Sequence, residues 1–221
     1  NKIKGLQRIR YTTSHPKDMT GDLIEAYKDC EKLMPLLHLP VQSGSSKILK
    51  LMNRKHTIEN YMSVLEDLKK IRPSIKFTSD FIIGYPGETD EDFNQTLNLM
   101  KDVKFINSYS FVYSPRPGTI AANLETIDQK ISTDRLKKVQ SQLFENQISM
   151  NKALENSTLS VLVENLTEDK KQVFGRSEYM TSVIFNGRKS DIGKIVNVKI
   201  EKSNRNTLFG KIINNSNQKV A

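Results

Sequence analysis

Leu37-His38-Leu39-Pro40-Val41-Gln42-Ser43-Gly44-Ser45 and, further along, Asp80-Phe81-Ile82-Ile83-Gly84-Tyr85-Pro86-Gly87-Glu88-Thr89 share one grammar: a run of strand-forming apolar residues that ends in a polar, glycine-containing turn. Ser110-Phe111-Val112-Tyr113-Ser114-Pro115-Arg116-Pro117-Gly118-Thr119 repeats it a third time. Strands whose C-terminal ends carry Gly, Ser, Gln, Glu and Arg, with helices between them, are how an α/β barrel assembles a ligand site at its mouth. The pattern therefore locates a candidate site before any chemistry is assumed.

Working outward, Arg8–Ser14 reads as an earlier strand that exits at His15-Pro16. Leu23, Ala26, Tyr27 and Cys30 recur at three- and four-residue spacings, which predicts a helix from Asp22 to Lys32. Met34–Val41 and Phe77–Ile83 are expected as strands, the second apolar enough to be covered on both faces. Ser45–Met52 is a short helix. Thr57 caps the next, whose stripe of Ile58, Tyr61, Met62, Leu65, Leu68 and Ile71 stops at Pro73. Thr89 with Asp90, Glu91 and Asp92 is a helix N-terminus: a capping hydroxyl, then acids that complement the dipole. After the strand Tyr109–Tyr113, a long helix is expected from Ser132 to Leu154, with Leu136, Val139, Leu143 and Ile148 facing inward.

Near Asn156 the period changes from helical to alternating. Leu159–Glu164, Gln172–Arg176, Thr181–Phe185, Ile195–Ile200 and Thr207–Ile213 read as short strands separated by turn signals such as Asn186-Gly187. Five of them predict a small β-barrel of the OB type. The expected organisation is α/β over residues 1–154, a partial (β/α) barrel, and all-β over 155–221.

The 221 residues carry +9, with 23 Lys and Arg against 18 Asp and Glu up to residue 152 and 11 against 7 after it, so the C-terminal part is the more basic per residue. A polyanionic partner is favoured on charge. No apolar run reaches the roughly 20 residues that span a bilayer, so no membrane partner is expected. Cys30 is the single cysteine, which excludes an internal disulfide and fits a reducing cytoplasm. It sits on a helix face at no metal-ligand spacing and reads as a small core residue.

The motifs become specific in combination. Arg8-Ile9-Arg10-Tyr11-Thr12-Thr13-Ser14-His15-Pro16, Leu39-Pro40-Val41-Gln42-Ser43-Gly44-Ser45, Met52-Asn53-Arg54, Gly84-Tyr85-Pro86-Gly87-Glu88-Thr89 and Tyr113-Ser114-Pro115-Arg116-Pro117-Gly118-Thr119, in that order, resemble the MiaB-type tRNA methylthiotransferases, and the likeness covers essentially the whole chain. Branches that act on a ribosomal protein or on threonylcarbamoyladenosine usually differ at Arg116-Pro117 and at Thr12–Pro16, so the resemblance favours the isopentenyladenosine branch.

The resemblance implies a radical S-adenosylmethionine (SAM) partial barrel, its third to sixth strands present here, followed by an RNA-gripping TRAM barrel. It implies SAM and two 4Fe-4S clusters as cofactors, methylthiolation of C2 of N6-isopentenyladenosine beside the anticodon, and a monomer whose partner is the tRNA anticodon stem-loop. An electron donor and a sulfur source are also implied; no residue here identifies either. The family's Cys-x-x-x-Cys-x-x-Cys loop has no counterpart in this sequence, so the chain is expected to be a C-terminal fragment, inactive by itself, that holds neither cluster. The non-catalytic alternative is an RNA-binding remnant.

Within that frame, Gln42 and Ser43 fall where such proteins contact the ribose and methionine of SAM, and their amide and hydroxyl suit a polar zwitterion. Ser43 serves equally well in a turn before Ser45. Asp80 through Glu88 resembles the strand beside the adenine: Gly84 and Gly87 permit either close backbone approach or the turn itself. Asp80, costly in an apolar strand, should meet a cation, a hydroxyl or the cofactor. Glu88 also reads simply as an acid at a helix N-terminus. Tyr113 and Ser114 share the mouth with Arg116, whose guanidinium on a proline-stiffened loop suits phosphate or carboxylate. His15 and His38 are expected to be packed or hydrogen-bonded rather than catalytic. In the C-terminal barrel, Arg176, Arg188 and Lys189 are the candidate RNA contacts, with Phe174, Tyr179 and Phe185 expected in the core.

Overall fold

The structure, a computed structural model, describes residues 1–13 and 15–213; Ser14, the end of the expected first strand, lies outside them. The chain divides into two compact units between Asn146 and Gln147.

The first unit holds strands β1 (Ile9–Thr12), β2 (Leu33–His38), β3 (Lys76–Thr78), β4 (Asp80–Ile83) and β5 (Tyr109–Val112), and every pairing among them is parallel. β1, β2 and β3 pair in that order and β4 pairs with β5. A bridge between Gln42 and Phe81 joins the two groups: the Gln42 N–H donates to the Asp80 carbonyl at 3.0 Å and the Ile82 N–H to the Gln42 carbonyl at 2.9 Å. The expected strand Phe77–Ile83 is thus one extended run broken at Ser79. The cause is local. Ser79 Oγ accepts from the Val41 N–H at 2.9 Å and the Ser79 N–H donates to Ser108 Oγ at 2.9 Å, so side chains replace the ladder for one residue.

Parallel strands need crossovers, supplied here by α1 (Gly21–Asp29), α2 (Ser46–Leu51) with α3 (Ile58–Ile71), and α4 (Asp90–Val103). The capping signals read from the sequence act as expected, because Thr57 with Asn60 and Thr89 with Asp92 both form capping boxes. Leu37, Leu39, Val41, Phe77, Phe81 and Ile83 pack from the sheet against Tyr61, Leu65 and Leu68 of α3 and Phe93, Leu99 and Met100 of α4. Tyr61 is wholly buried and its hydroxyl donates to the Leu39 carbonyl at 2.9 Å. Each such side chain contributes about 2 kcal/mol of burial free energy. Cys30 caps the C-terminus of α1, half-buried against this core.

The long helix α5 (Gln129–Ala153) follows the expected stripe at Leu136, Val139 and Leu143. It departs at Ile148, which is 49% exposed. Amides occupy the buried positions there instead: Asn146 Nδ2 donates to the Met100 carbonyl at 3.0 Å, and Asn151 Nδ2 to the Asn204 and Arg205 carbonyls at 2.9 Å each. A buried amide that satisfies backbone carbonyls outcompetes an isoleucine for that face.

The second unit is a closed five-stranded barrel of β6 (Thr158–Leu166), β7 (Val173–Ser177), β8 (Ser182–Asn186), β9 (Ile195–Ser203) and β10 (Thr207–Ile212), ordered β10-β8-β7-β6-β9 and closed by the parallel pairing of β8 with β10. Val161, Val163, Val173, Val183, Phe185, Val198 and Leu208 fill it. Phe185 and Tyr179 are core residues, as expected. Phe174 is not: β7 alternates buried and half-buried residues from Val173, which turns the Phe174 and Arg176 side chains outward together.

Candidate cofactor cleft and nucleic-acid surface

At the C-terminal end of β2 the chain turns through Gln42, whose φ of 75° lies in the left-handed region that non-glycine residues avoid. The flanking ladder bonds to Asp80 and Ile82 hold it there. Such strained positions cluster at ligand sites, and the Gln42 side chain lines a cavity. The next three residues are structural. Ser43 Oγ accepts from the Ser45 N–H at 3.1 Å, the Gly44 N–H donates to Thr96 Oγ1 at 2.9 Å, and Ser45 Oγ donates to Asp92 Oδ1 at 2.7 Å. A Cβ on Gly44 would collide with the α4 backbone at Gln95 and Thr96, so only glycine permits this approach.

The strand ends surround a cleft of about 850 Å³. Gln42, Ile82, Tyr113, Ser114 and Arg116 line it, which brings together four of the sequence-predicted residues. Asn53 and Arg54 (after α2), Tyr85 and Phe111 complete its chemistry, and His15 stands at its rim. The sequence gives Asn53, Arg54 and Tyr85 no role; the signals it carries are an aromatic in the turn after a strand for Tyr85 and a polar pair just past a helix end for Asn53 and Arg54. The Tyr85 and Tyr113 rings meet edge to face at 4.9 Å, and the Tyr85 hydroxyl donates to the Leu51 carbonyl at 3.1 Å. Burial lowers the pKa of Arg54, and it lowers that of His15, with Arg54 adding to the effect. The cleft thus offers two guanidinium groups, two carboxamides and flat aromatic surface.

Ser43, Asp80, Gly84 and Gly87 do not line this cleft. Asp80 finds its partner in the His38 imidazole, Nε2 to Oδ2 at 3.5 Å, while His38 Nδ1 lies 2.7 Å from Thr78 Oγ1. Gly84 and Gly87 have φ of 72° and 83° and build the turn after β4. Glu88 clamps that turn from beneath. Its Oε1 accepts from the Gly84 N–H at 3.2 Å and from Arg135 Nη1 at 2.7 Å, with both side chains buried. Arg135 also reaches Asp90 Oδ1 at 2.7 Å and lies over the Phe93 ring at 5.4 Å. Burial pushes the Glu88 carboxyl up; the Gly84 N–H and Arg135 pull it back. Arg135 went unnoticed in the sequence, where one arginine in a charged helix reads as solvated.

On the barrel, Arg176 Nη1 donates to Ser182 Oγ at 3.1 Å and to the Met180 carbonyl at 3.2 Å, and the guanidinium lies 5.1 Å from the Phe174 ring centre. Arg188 and Lys189 are exposed at the opening of the Lys189–Asp191 turn, where the Arg188 N–H donates to Asp191 Oδ2 at 2.9 Å. Arg188 and Lys211 flank a shallow depression of about 930 Å³ that also takes in Asn186 and Asn197.

Residues 1–100 match the family model of the radical SAM superfamily and residues 152–213 that of the TRAM domain. These two matches, in this order along the chain, bear out the MiaB-type resemblance of its motifs. Over 216 residues it is 64% identical to the tRNA-2-methylthio-N(6)-dimethylallyladenosine synthase of Pelagibacter ubique, an alignment that takes in 98% of this chain and 48% of that protein. Proteins of the same name from Rickettsia rickettsii and Orientia tsutsugamushi are 50% and 48% identical, again over 48% of their lengths. The chain spans about half the length of the curated relatives it matches. Among the described residues no helix is long and apolar enough to cross a membrane, and no group of three or more His, Cys, Asp or Glu is placed to hold a metal ion.

Proposed function

We propose that this chain is the SAM- and tRNA-binding half of a tRNA methylthiotransferase that modifies C2 of N6-dimethylallyladenosine (isopentenyladenosine) beside the anticodon. One observation carries the reading: the cleft at the ends of parallel strands draws half of its lining, strained Gln42 included, from the segment matched to the radical SAM superfamily, and the rest from the strand and loop that follow it. Its contents suit SAM. Gln42 and Ser114 provide amide and hydroxyl partners for ribose, Arg54 or Arg116 a guanidinium for the methionine carboxylate, and Tyr85, Tyr113 and Phe111 aromatic surface for adenine. Ser43, Gly84, Gly87 and Asp80 shape the frame around it. When bound, SAM supplies the methyl group and the adenosyl fragment for radical chemistry. Residues 155–221, with Arg176, Arg188 and Lys189, grip the anticodon stem-loop, and the chain acts as a cytoplasmic monomer.

The 4Fe-4S clusters do not fit this chain's donor set. Cys30 is its single cysteine, so any cluster takes its ligands from outside these 221 residues.

The test grafts this chain in place of the matching segment of the Pelagibacter ubique relative and expresses the hybrid in cells that lack tRNA methylthiolation. Nucleoside mass spectrometry should then find 2-methylthio-N6-dimethylallyladenosine. Methylthio groups only on threonylcarbamoyladenosine would reassign the substrate; hypomodified tRNA with a soluble, SAM-binding hybrid would refute the activity.

A further inference from the structure

A row of half-buried aromatic and apolar side chains crosses the outer face of the barrel. In register across neighbouring strands, Phe174 of β7 faces Ile184 of β8, Ile184 faces Phe209 of β10, and Phe209 faces Lys202 of β9. Phe174, Ile184 and Phe209 are all only half-buried. Each ring carries a cation over it, Arg176 at 5.1 Å from Phe174 and Lys202 at 5.2 Å from Phe209. A half-exposed aromatic on the outside of a barrel is not needed by the interior, which Phe185 and the valines already fill.

We infer that this row is a stacking platform for unpaired nucleobases. The inference rests on the RNA-binding reading above and assigns it a surface. Strand spacing puts the two rings, two strands apart, about 10 Å from each other, wide enough for two splayed bases with the Ile184 side chain between them. The cations over the rings serve the flanking phosphates, and every base has a π-face, so the platform selects unpaired over paired RNA without reading sequence. Phe174 and Ile184 lie on the second and third strands of the barrel, the face on which OB-type folds take oligonucleotides, and Phe209 on the fifth extends that face by one strand. Charge agrees, since the residues after 152 carry 11 Lys and Arg against 7 Asp and Glu.

The whole chain is titrated, by fluorescence anisotropy, into a labelled RNA hairpin with a seven-nucleotide unpaired loop and into a blunt duplex of the same stem. Phe174→Leu and Phe209→Leu keep apolar bulk but remove the ring. Each should weaken hairpin binding about 5- to 100-fold while duplex affinity stays unchanged. The chain has no tryptophan, so Phe174→Trp and Phe209→Trp each create a single reporter, whose emission should be quenched by the hairpin. Leucine variants that bind the hairpin as the parent does, or that lose hairpin and duplex alike, overturn the platform and leave the RNA reading standing. So does undiminished tryptophan emission in a bound complex. If the parent chain binds neither RNA, the RNA reading falls and the platform with it.

Discussion

Gln42 holds φ at 75°, where the Cβ of an L residue crowds the following carbonyl at a cost of about 1–2 kcal/mol. Replacing it by glycine removes that strain but adds roughly 0.5–1 kcal/mol of unfolded-state freedom, so Gln42→Gly should leave thermal stability within about 1 kcal/mol of the parent. If the side chain contacts the cofactor, the same variant should bind SAM at least about tenfold more weakly in calorimetry, a loss on the scale of one good hydrogen bond. Unchanged affinity would return Gln42 to the role of a turn residue. Gly84 is the opposite case. Its φ is 72° and a Cβ there would strike Ser132, so Gly84→Ala should cost about 2–3 kcal/mol in a urea titration. Ser132→Ala should recover little of this, because the Ser132 Cβ is itself only 2.9 Å from the added atom.

Between elements, the Glu88–Arg135 pair ties the turn after β4 to α5 from inside the protein. Breaking one side of a buried pair leaves the other charge without compensation, so Glu88→Gln and Arg135→Met should each cost about 2–4 kcal/mol. The double variant should cost less than the two losses added, with a coupling of about 1–3 kcal/mol; strict additivity in the urea midpoints would show the contact to be incidental. This pair also marks the boundary of what the sequence reveals. Local signals were legible, since the Thr57 and Thr89 caps, the α3 stripe and the five barrel strands follow from short-range periodicity. So was the cleft's location, because polar residues at strand ends must face one mouth. What stayed hidden depends on partners far along the chain. The Thr96 contacts of the Ser43-Gly44 turn, His38 for Asp80 and Arg135 for Glu88 lie dozens of residues away. Ile148 was misplaced for the same reason, since the Asn146 and Asn151 amides are buried by distant carbonyls that no helical period announces.

At the scale of the whole molecule, the two units differ in how they answer acid, because all three histidines precede residue 57. His56 is 8% exposed, and its pKa is pushed down from 6.5 to about 4 by burial, with His15 and Arg54 adding repulsion. For a base with a depressed folded-state pKa, the unfolded chain binds the proton first. Stability is therefore fully present above about pH 6.5 and is lost as pH falls toward 4, by an amount on the order of 2–3 kcal/mol. Asp92 extends the trend. Burial raises its pKa, but hydrogen bonds from Lys47, Thr89 and Ser45 outweigh that and hold it well below 3.8, so its contribution disappears only in stronger acid. Scanning calorimetry should accordingly resolve two transitions at pH 7. Between pH 7 and pH 4.5 the one belonging to residues 1–146 should fall by roughly 5–10 °C, while the barrel transition moves far less. His56→Phe keeps a ring beside Tyr61 and should abolish most of the difference. Two transitions that fall in parallel, or a His56→Phe variant that is equally acid-sensitive, would place the proton-linked loss elsewhere than in the buried imidazole.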